Sequence, residues 1–144
     1  MVLRLLICIF LLQGCFPKKA LKPEEALREY ILYRFSKGQT KEKILDLTTG
    51  DARAKVESLT DEQFKRYINT EVYRLKDIKV VLKSCSETKC SITYIISYNK
   101  IEGDSQLSEI KKIAELEQIE GFWKIKDVST VKTYFESDVP IDVP

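Results

Sequence analysis

Ile78-Lys79-Val80-Val81-Leu82-Lys83-Ser84-Cys85-Ser86-Glu87-Thr88-Lys89-Cys90-Ser91-Ile92-Thr93-Tyr94-Ile95-Ile96-Ser97-Tyr98 is the stretch on which the architecture rests. Its apolar residues recur with a period of two. Ile78, Val80 and Leu82 share one face of a first run, and Ile92, Tyr94, Ile96 and Tyr98 share one face of a second. Such alternation is the mark of a half-buried strand. The two runs flank a short polar loop bounded by Cys85 and Cys90, so they read as an antiparallel hairpin with the cysteines at its tip.

Upstream, the period is helical. Pro23 suits a helix start, Glu24 and Glu25 favour the positive end of the helix dipole, and Leu27, Tyr30, Ile31 and Arg34/Phe35 recur at helical spacing up to a Gly38 cap. A first helix is therefore expected over about 23–37. Thr40 can cap a second, short helix carrying Ile44, Leu45 and Leu47 and stopped by Gly50; Asp51 opens a third, with Ala52, Val56 and Leu59 inward. Thr60-Asp61-Glu62-Gln63 is a capping box that starts a fourth helix through Phe64, Tyr67 and Ile68.

Downstream of the hairpin, a turn is expected at 99–105. The stretch 107–119 reads two ways: Leu107, Ile110, Ile113 and Leu116 fit a helix, whereas Ile110, Ala114 and Leu116 share a strand face interrupted by Lys112. The strand reading is taken. Glu120-Gly121 then makes a hairpin turn into Phe122-Trp123-Lys124-Ile125, a β-rich run that needs a partner. The last strand is expected to reach about Phe135, with Pro140 and Pro144 marking an acidic tail.

The N-terminus carries a different kind of signal. Arg4 precedes the apolar run Leu5-Leu6-Ile7-Cys8-Ile9-Phe10-Leu11-Leu12, which ends in Leu12-Gln13-Gly14-Cys15. Eight residues of helix rise about 12 Å, well short of a hydrocarbon core of about 30 Å, so the run fits an export signal rather than a membrane span. It resembles a bacterial lipoprotein signal with its lipobox. That resemblance implies cleavage before Cys15, a diacylglyceryl group on its sulfur and acylation of its amine, enough acyl chains for stable membrane anchoring. Phe16 follows the cysteine where Asp would hold a lipoprotein at the inner membrane, which implies an outer-membrane anchor facing the periplasm in a cell with two membranes. Residues 15–22 form a short tether whose Lys18, Lys19 and Lys22 read as a solvated linker, with contact to anionic head groups as the alternative.

Export settles how the cysteines are read. Of the four, Cys8 leaves with the signal and Cys15 is committed to lipid, so Cys85 and Cys90 remain as a close pair in an oxidising compartment. A disulfide there stabilises by about 2 kcal/mol in the loop-closure picture. Structural zinc needs four Cys or His ligands, and the chain has no His. No metal and no cofactor is expected. Removing residues 1–14 takes one basic residue, Arg4, from 24 and leaves 23 against 22 acidic ones; this near-balance gives no reason to expect nucleic acid as partner.

The expected division is a signal peptide over 1–14, a lipidated tether over 15–22, one α+β domain over 23–136 and a tail over 137–144. The opening helix Pro23-Glu24-Glu25-Ala26-Leu27-Arg28-Glu29-Tyr30 and the closing hairpin Ala114-Glu115-Leu116…Glu120-Gly121-Phe122-Trp123-Lys124-Ile125 resemble the nuclear transport factor 2-like (cystatin-like) superfamily, as found in small lipoproteins of unknown function. The resemblance implies N-terminal helices packed on a curved antiparallel sheet, a cone. It also implies a choice of roles, since the fold hosts isomerases and hydratases as well as non-catalytic binding modules.

The aromatic residues Tyr73, Tyr94, Tyr98, Trp123 and Tyr134 mark a candidate pocket for an apolar ligand or a peptide. Catalysis in this superfamily often uses a pocket Asp, for which only Asp77, before the Ile78 run, and Asp127, alternating with Trp123, Ile125 and Ser129, are placed. Neither sits in a recognisable catalytic motif. The expected role is a non-catalytic ligand- or protein-binding module on the envelope, with a structural or inhibitor-type protein acting through a protein partner as the alternative.

Overall fold

A computed structural model describes residues 20–68, 72–101 and 107–131. Four helices come first: α1 (Pro23–Arg34), α2 (Lys41–Leu47), α3 (Gly50–Glu57) and α4 (Asp61–Ile68). Four strands follow: β1 (Tyr73–Cys85), β2 (Lys89–Lys100), β3 (Ser108–Ile119) and β4 (Phe122–Thr130). The strands form an open antiparallel meander in the order β1-β2-β3-β4, so the protein is α+β.

The helices start where the capping chemistry puts them. The Thr40 hydroxyl accepts from the Lys43 N–H, 3.2 Å, at the head of α2. Thr60 and Gln63 form the reciprocal box before α4: the Thr60 N–H donates to Gln63 Oε1 at 2.9 Å, and the Gln63 N–H donates to the Thr60 hydroxyl at 3.3 Å. α1 ends earlier than its spacing suggests, at Arg34 rather than near Gly38. Side chains downstream take over its last carbonyls. Ser36 donates to Tyr33 O at 2.8 Å and Gln39 Nε2 to Arg34 O at 3.0 Å, which leaves no need for another helical turn.

One buried cluster draws on all eight elements: Ala26, Leu27, Tyr30 and Ile31 of α1, Ile44, Val56 and Phe64 of the other helices, Ile78 of β1, Cys90, Ile92, Tyr94 and Ile96 of β2, Ala114 and Leu116 of β3, and Ile125 of β4. The period-two face of β2 is thus a core face. The stretch is strand from Ser108 to Ile119, and its Ala114 and Leu116 lie opposite Ile92 and Cys90. Glu120 and Gly121 both have positive φ, 51° and 82°, as the tight two-residue turn between β3 and β4 requires.

The first strand departs from simple alternation. Its register against β2 skips Lys76 and Val81, each an extra residue in a bulge. Ile78 faces Ile96 and is buried, but beyond the second bulge Leu82 lies opposite Thr93 and Lys83 opposite Ile92. Leu82 is consequently 64% exposed, not a core residue, and Lys83 points where it pairs with Glu24 of α1. That hydrogen bond from Lys83 is the main reason the Glu24 carboxyl sits below its ordinary range. A third bulge skips Lys126 in β4, so Asp127 lies opposite Glu115, out of phase with Ile125.

The bulge in β4 receives the chain between α2 and α3. Thr48 forms a parallel bridge with Ile125, and the Thr49 N–H donates to Ile125 O at 2.8 Å. Gly50 follows with φ +49°, and a Cβ there would stand 2.9 Å from Lys126 Cγ. Glycine is required at that position twice over, by its left-handed backbone and by the close approach of the bulged residue.

Candidate functional site

A pocket of about 240 Å³ opens where the C-terminal ends of α1 and α4 meet β1, β2 and β3. Arg34 and Phe35 come from the end of α1, Arg66, Tyr67 and Ile68 from α4, Tyr73 from the start of β1, Ile96 and Tyr98 from β2, and Ile110 and Lys112 from β3. Each strand contributor sits on the core-facing side: Ile96 lies opposite Ile110, and Tyr94, beneath the pocket, opposite Lys112. Tyr73 and Tyr98 meet edge to face with ring centres 5.2 Å apart.

Arg34 organises the helical wall. Its Nη2 donates to Tyr67 O at 3.0 Å, and its guanidinium lies 4.2 Å from the Tyr67 ring centre and 5.8 Å from that of Tyr30. The Tyr30 and Tyr67 hydroxyls are bonded to each other at 3.0 Å. Arg34 Nε is buried with no hydrogen-bond partner among the described residues. Lys112 stands half-buried across from this wall. Burial first, then the cations of Arg34 and Lys55, push its ammonium below the ordinary lysine value. Burial likewise pushes the Tyr30 and Tyr94 phenols up, against the opposing pull of Arg34.

The sign of the Lys112 effect is unambiguous. A lysine whose folded value is depressed destabilises the fold while it is charged, and that penalty fades as pH rises toward 10.5, where the unfolded lysine also loses its proton. Lys112→Met is expected to raise the unfolding free energy at pH 7 by about 0.5–1 kcal/mol, a modest value because the group is partly solvent-screened. Urea unfolding at pH 7 and pH 10 checks this; the gain should shrink at the higher pH.

The residues singled out in the sequence fall in several places. Tyr73 and Tyr98 line the pocket. Tyr94 lies below it in the core, 1% exposed. Trp123 lines a separate cleft of about 220 Å³ with Leu21, Ala26, Leu47 and Phe122. Cys15 and Tyr134 lie outside the described residues. Cys85 and Cys90 form the last cross-strand pair of the hairpin, at disulfide distance with Cα atoms 4.0 Å apart. Asp77, exposed opposite Ser97, and Asp127, opposite Glu115, are both absent from the pocket lining.

Sequence reasoning passed over the cations Arg34, Arg66 and Lys112. Only Lys112 left a trace, as the charged interruption of the Ile110–Ala114 face. Among the described residues no three His, Cys, Asp or Glu side chains converge to hold a metal ion. The lining therefore offers hydrogen-bond donors, positive charge and aromatic surface, a combination suited to holding a ligand by its charge and one apolar face.

No family model matches the chain, and no curated protein matches it. Solved structures do. One is the solution structure of a SEC-C motif containing protein from Rhodopseudomonas palustris, at 18% identity over 76% of this chain and 79% of that one, with a TM-score of 0.56. Another is the crystal structure of the intermembrane space region of the chloroplast protein ARC6, at 12% identity over 80% of this chain and 100% of that one, with a TM-score of 0.56. At such identities the likeness concerns the fold alone.

Proposed function

We propose that the protein is a lipid-anchored component of a bacterial envelope whose domain is a non-catalytic binding module, with the pocket between α1, α4 and the sheet as its ligand site. The observation that carries the binding role is the pocket's lining, in which Arg34 and Lys112 face a space walled by Phe35, Tyr98, Ile96 and Ile110. In this reading the four helices pack on one face of a curved sheet, a cystatin-like cone of the nuclear transport factor 2-like kind, and the pocket is the mouth of that cone. The Leu12-Gln13-Gly14-Cys15 lipobox supports the anchor, with Cys15 acylated, residues 1–14 removed and the domain held at the outer membrane facing the periplasm. α1 begins at Pro23, eight residues past Cys15, so the tether keeps the domain near the bilayer surface. Export also favours closure of the Cys85–Cys90 pair as a disulfide.

Fractionation tests the anchor. Wild type is expected in the membrane fraction, and Cys15→Ala in the soluble fraction with no acyl mass; a Cys15→Ala protein still bound to membranes with unchanged lipid content would refute it. Binding is tested by what the purified full chain retains, since a module of this kind should keep a small molecule that denaturation releases.

A second reading has one observation in its favour. β1 is an edge strand, and Val80, Val81 and Leu82 expose 39%, 48% and 64% of their surface along it. Such an edge can accept a strand from another protein, which would suit an assembly or inhibitor-type role. A protein co-purifying in stoichiometric amount, and lost in Leu82→Lys, would favour this reading over the small ligand.

A further inference from the structure

The charges around the pocket are poorly balanced. Arg66 has a carboxylate partner, Glu62, in an exposed pair on α4. Among the described residues Arg34 has none: one of its N–H groups goes to the Tyr67 carbonyl, and its buried Nε has no acceptor. Lys112 is half-buried on the core side of β3 between Ile110 and Ala114, and no hydrogen bond or ion pair holds its ammonium among the described residues. Lys55 adds a fourth cation, its Nζ 6.0 Å from the centre of the Tyr67 ring. No carboxylate lines the space among the described residues.

Each feature of this arrangement is unfavourable in the ligand-free protein. Among the described residues, a partly desolvated lysine and a buried guanidinium N–H both lack counter-groups, and the like charges repel. An anion relieves this imbalance. It pairs with the Arg34 guanidinium and the Lys112 ammonium, which both line the space, and cancels their repulsion, and charge-assisted hydrogen bonds of this type are the strong ones. The rest of the lining, Ile96, Ile110, Phe35 and Tyr98, is apolar or aromatic, so the anion must carry an apolar body. Size limits that body. A cavity of about 150 Å³ takes a benzene ring and drug-sized ligands need about 300 Å³ or more, so a space of about 240 Å³ suits one ring or a short branched chain.

We propose that this pocket seats a small amphipathic anion, with one carboxylate or phosphate head between Arg34 and Lys112 and a compact apolar body against Ile96 and Ile110. The proposal rests on the pocket being the ligand site and adds the ligand's charge and size. The head belongs either to a free solute or to a membrane lipid of the same chemistry.

The experiment is calorimetric titration of the full chain in a neutral detergent with phenyl phosphate, benzoate and benzyl alcohol. Both anions should bind, benzyl alcohol at least about tenfold more weakly, and Lys112→Met should weaken the anions by about tenfold or more, a larger loss than any change it makes to benzyl alcohol. Lys112→Gln serves as a second variant of more conservative polarity, and it should behave alike. Benzyl alcohol binding as tightly as the anions, or anion binding indifferent to both variants, would overturn the anionic head and leave the ligand pocket standing. Binding of none of the three would overturn the pocket reading itself and this proposal with it. If the anions bind, phosphatidylcholine vesicles with and without phosphatidylglycerol, offered to the unacylated Cys15→Ala chain, separate the sources. Capture that needs phosphatidylglycerol and Lys112 assigns the head to a lipid, whereas anion binding without vesicle capture assigns it to a solute.

Discussion

Ile125→Ala is expected to lower the unfolding free energy by about 2–5 kcal/mol, whereas Leu82→Ala, which deletes a side chain of the same size, should change it by no more than about 0.5 kcal/mol. The contrast follows from the bulges. Ile125 is 0% exposed, lies opposite Leu116, and is bridged by Thr48 and Thr49, so its side chain fills the junction of α2, α3 and β4. Removing it costs the transfer free energy of the lost methylenes and leaves a cavity that the bridged backbone resists collapsing. Leu82 lies one residue past a bulge on an edge strand, 64% exposed, and loses little on truncation. Urea unfolding of the two variants checks this directly. Similar losses at both positions would mean that β1 alternates without the extra residue at Val81.

A second large effect lies at alkaline pH. Tyr30 and Tyr94 are 2% and 1% exposed, and burial raises both phenols above their ordinary value of 10.0. A raised value means that the unfolded chain gives up these protons first. The stability they confer is therefore complete below pH 10 and is lost as pH climbs above it, at up to about 1.4 kcal/mol per pH unit for each phenol. The protein is expected to unfold steeply above pH 10. Tyr94→Phe should stay within about 1 kcal/mol of wild type at pH 7, because the ring and its packing remain, and should unfold at higher pH with a shallower slope. Tyr30→Phe should share the shallower slope but lose the hydrogen bond to Tyr67, at about 1 kcal/mol. Circular dichroism followed alongside phenolate absorbance from pH 8 to 12 makes the measurement. Ionisation of all seven tyrosines well before loss of structure would show that these two are not buried as described.

The two contrasts mark where the sequence was legible. Local chemistry was readable: the Thr60–Gln63 box, the Thr40 cap, the Glu120-Gly121 turn and the buried face Ile92, Tyr94, Ile96 all lie where their residue types put them. What alternation cannot reveal is one inserted residue. The bulges at Lys76, Val81 and Lys126 shift the faces of everything that follows, which is why Leu82 and Asp127 are out of phase with their runs. The site was half visible for a similar reason. Tyr73 and Tyr98 announce themselves as strand aromatics, but Arg34, Arg66 and Lys112 come from three elements and meet only through tertiary structure. Lys112 had been the flaw in an otherwise clean strand pattern. In the folded protein that same interruption brings a cation to the pocket. Trp123, the residue with the largest aromatic surface, belongs to a different cleft because β4 is the far edge of the sheet from β1.

The central claim is that an envelope-anchored domain holds a ligand in this pocket, and native mass spectrometry of the full chain extracted from membranes tests it most directly. The predicted spectrum shows residues 15–144 with acyl chains, two hydrogens short from the Cys85–Cys90 bond, plus a further small mass that denaturation releases and that an Ile110→Trp variant, with its pocket filled, never carries. An acylated chain of identical mass before and after denaturation, in wild type and Ile110→Trp alike, would contradict it.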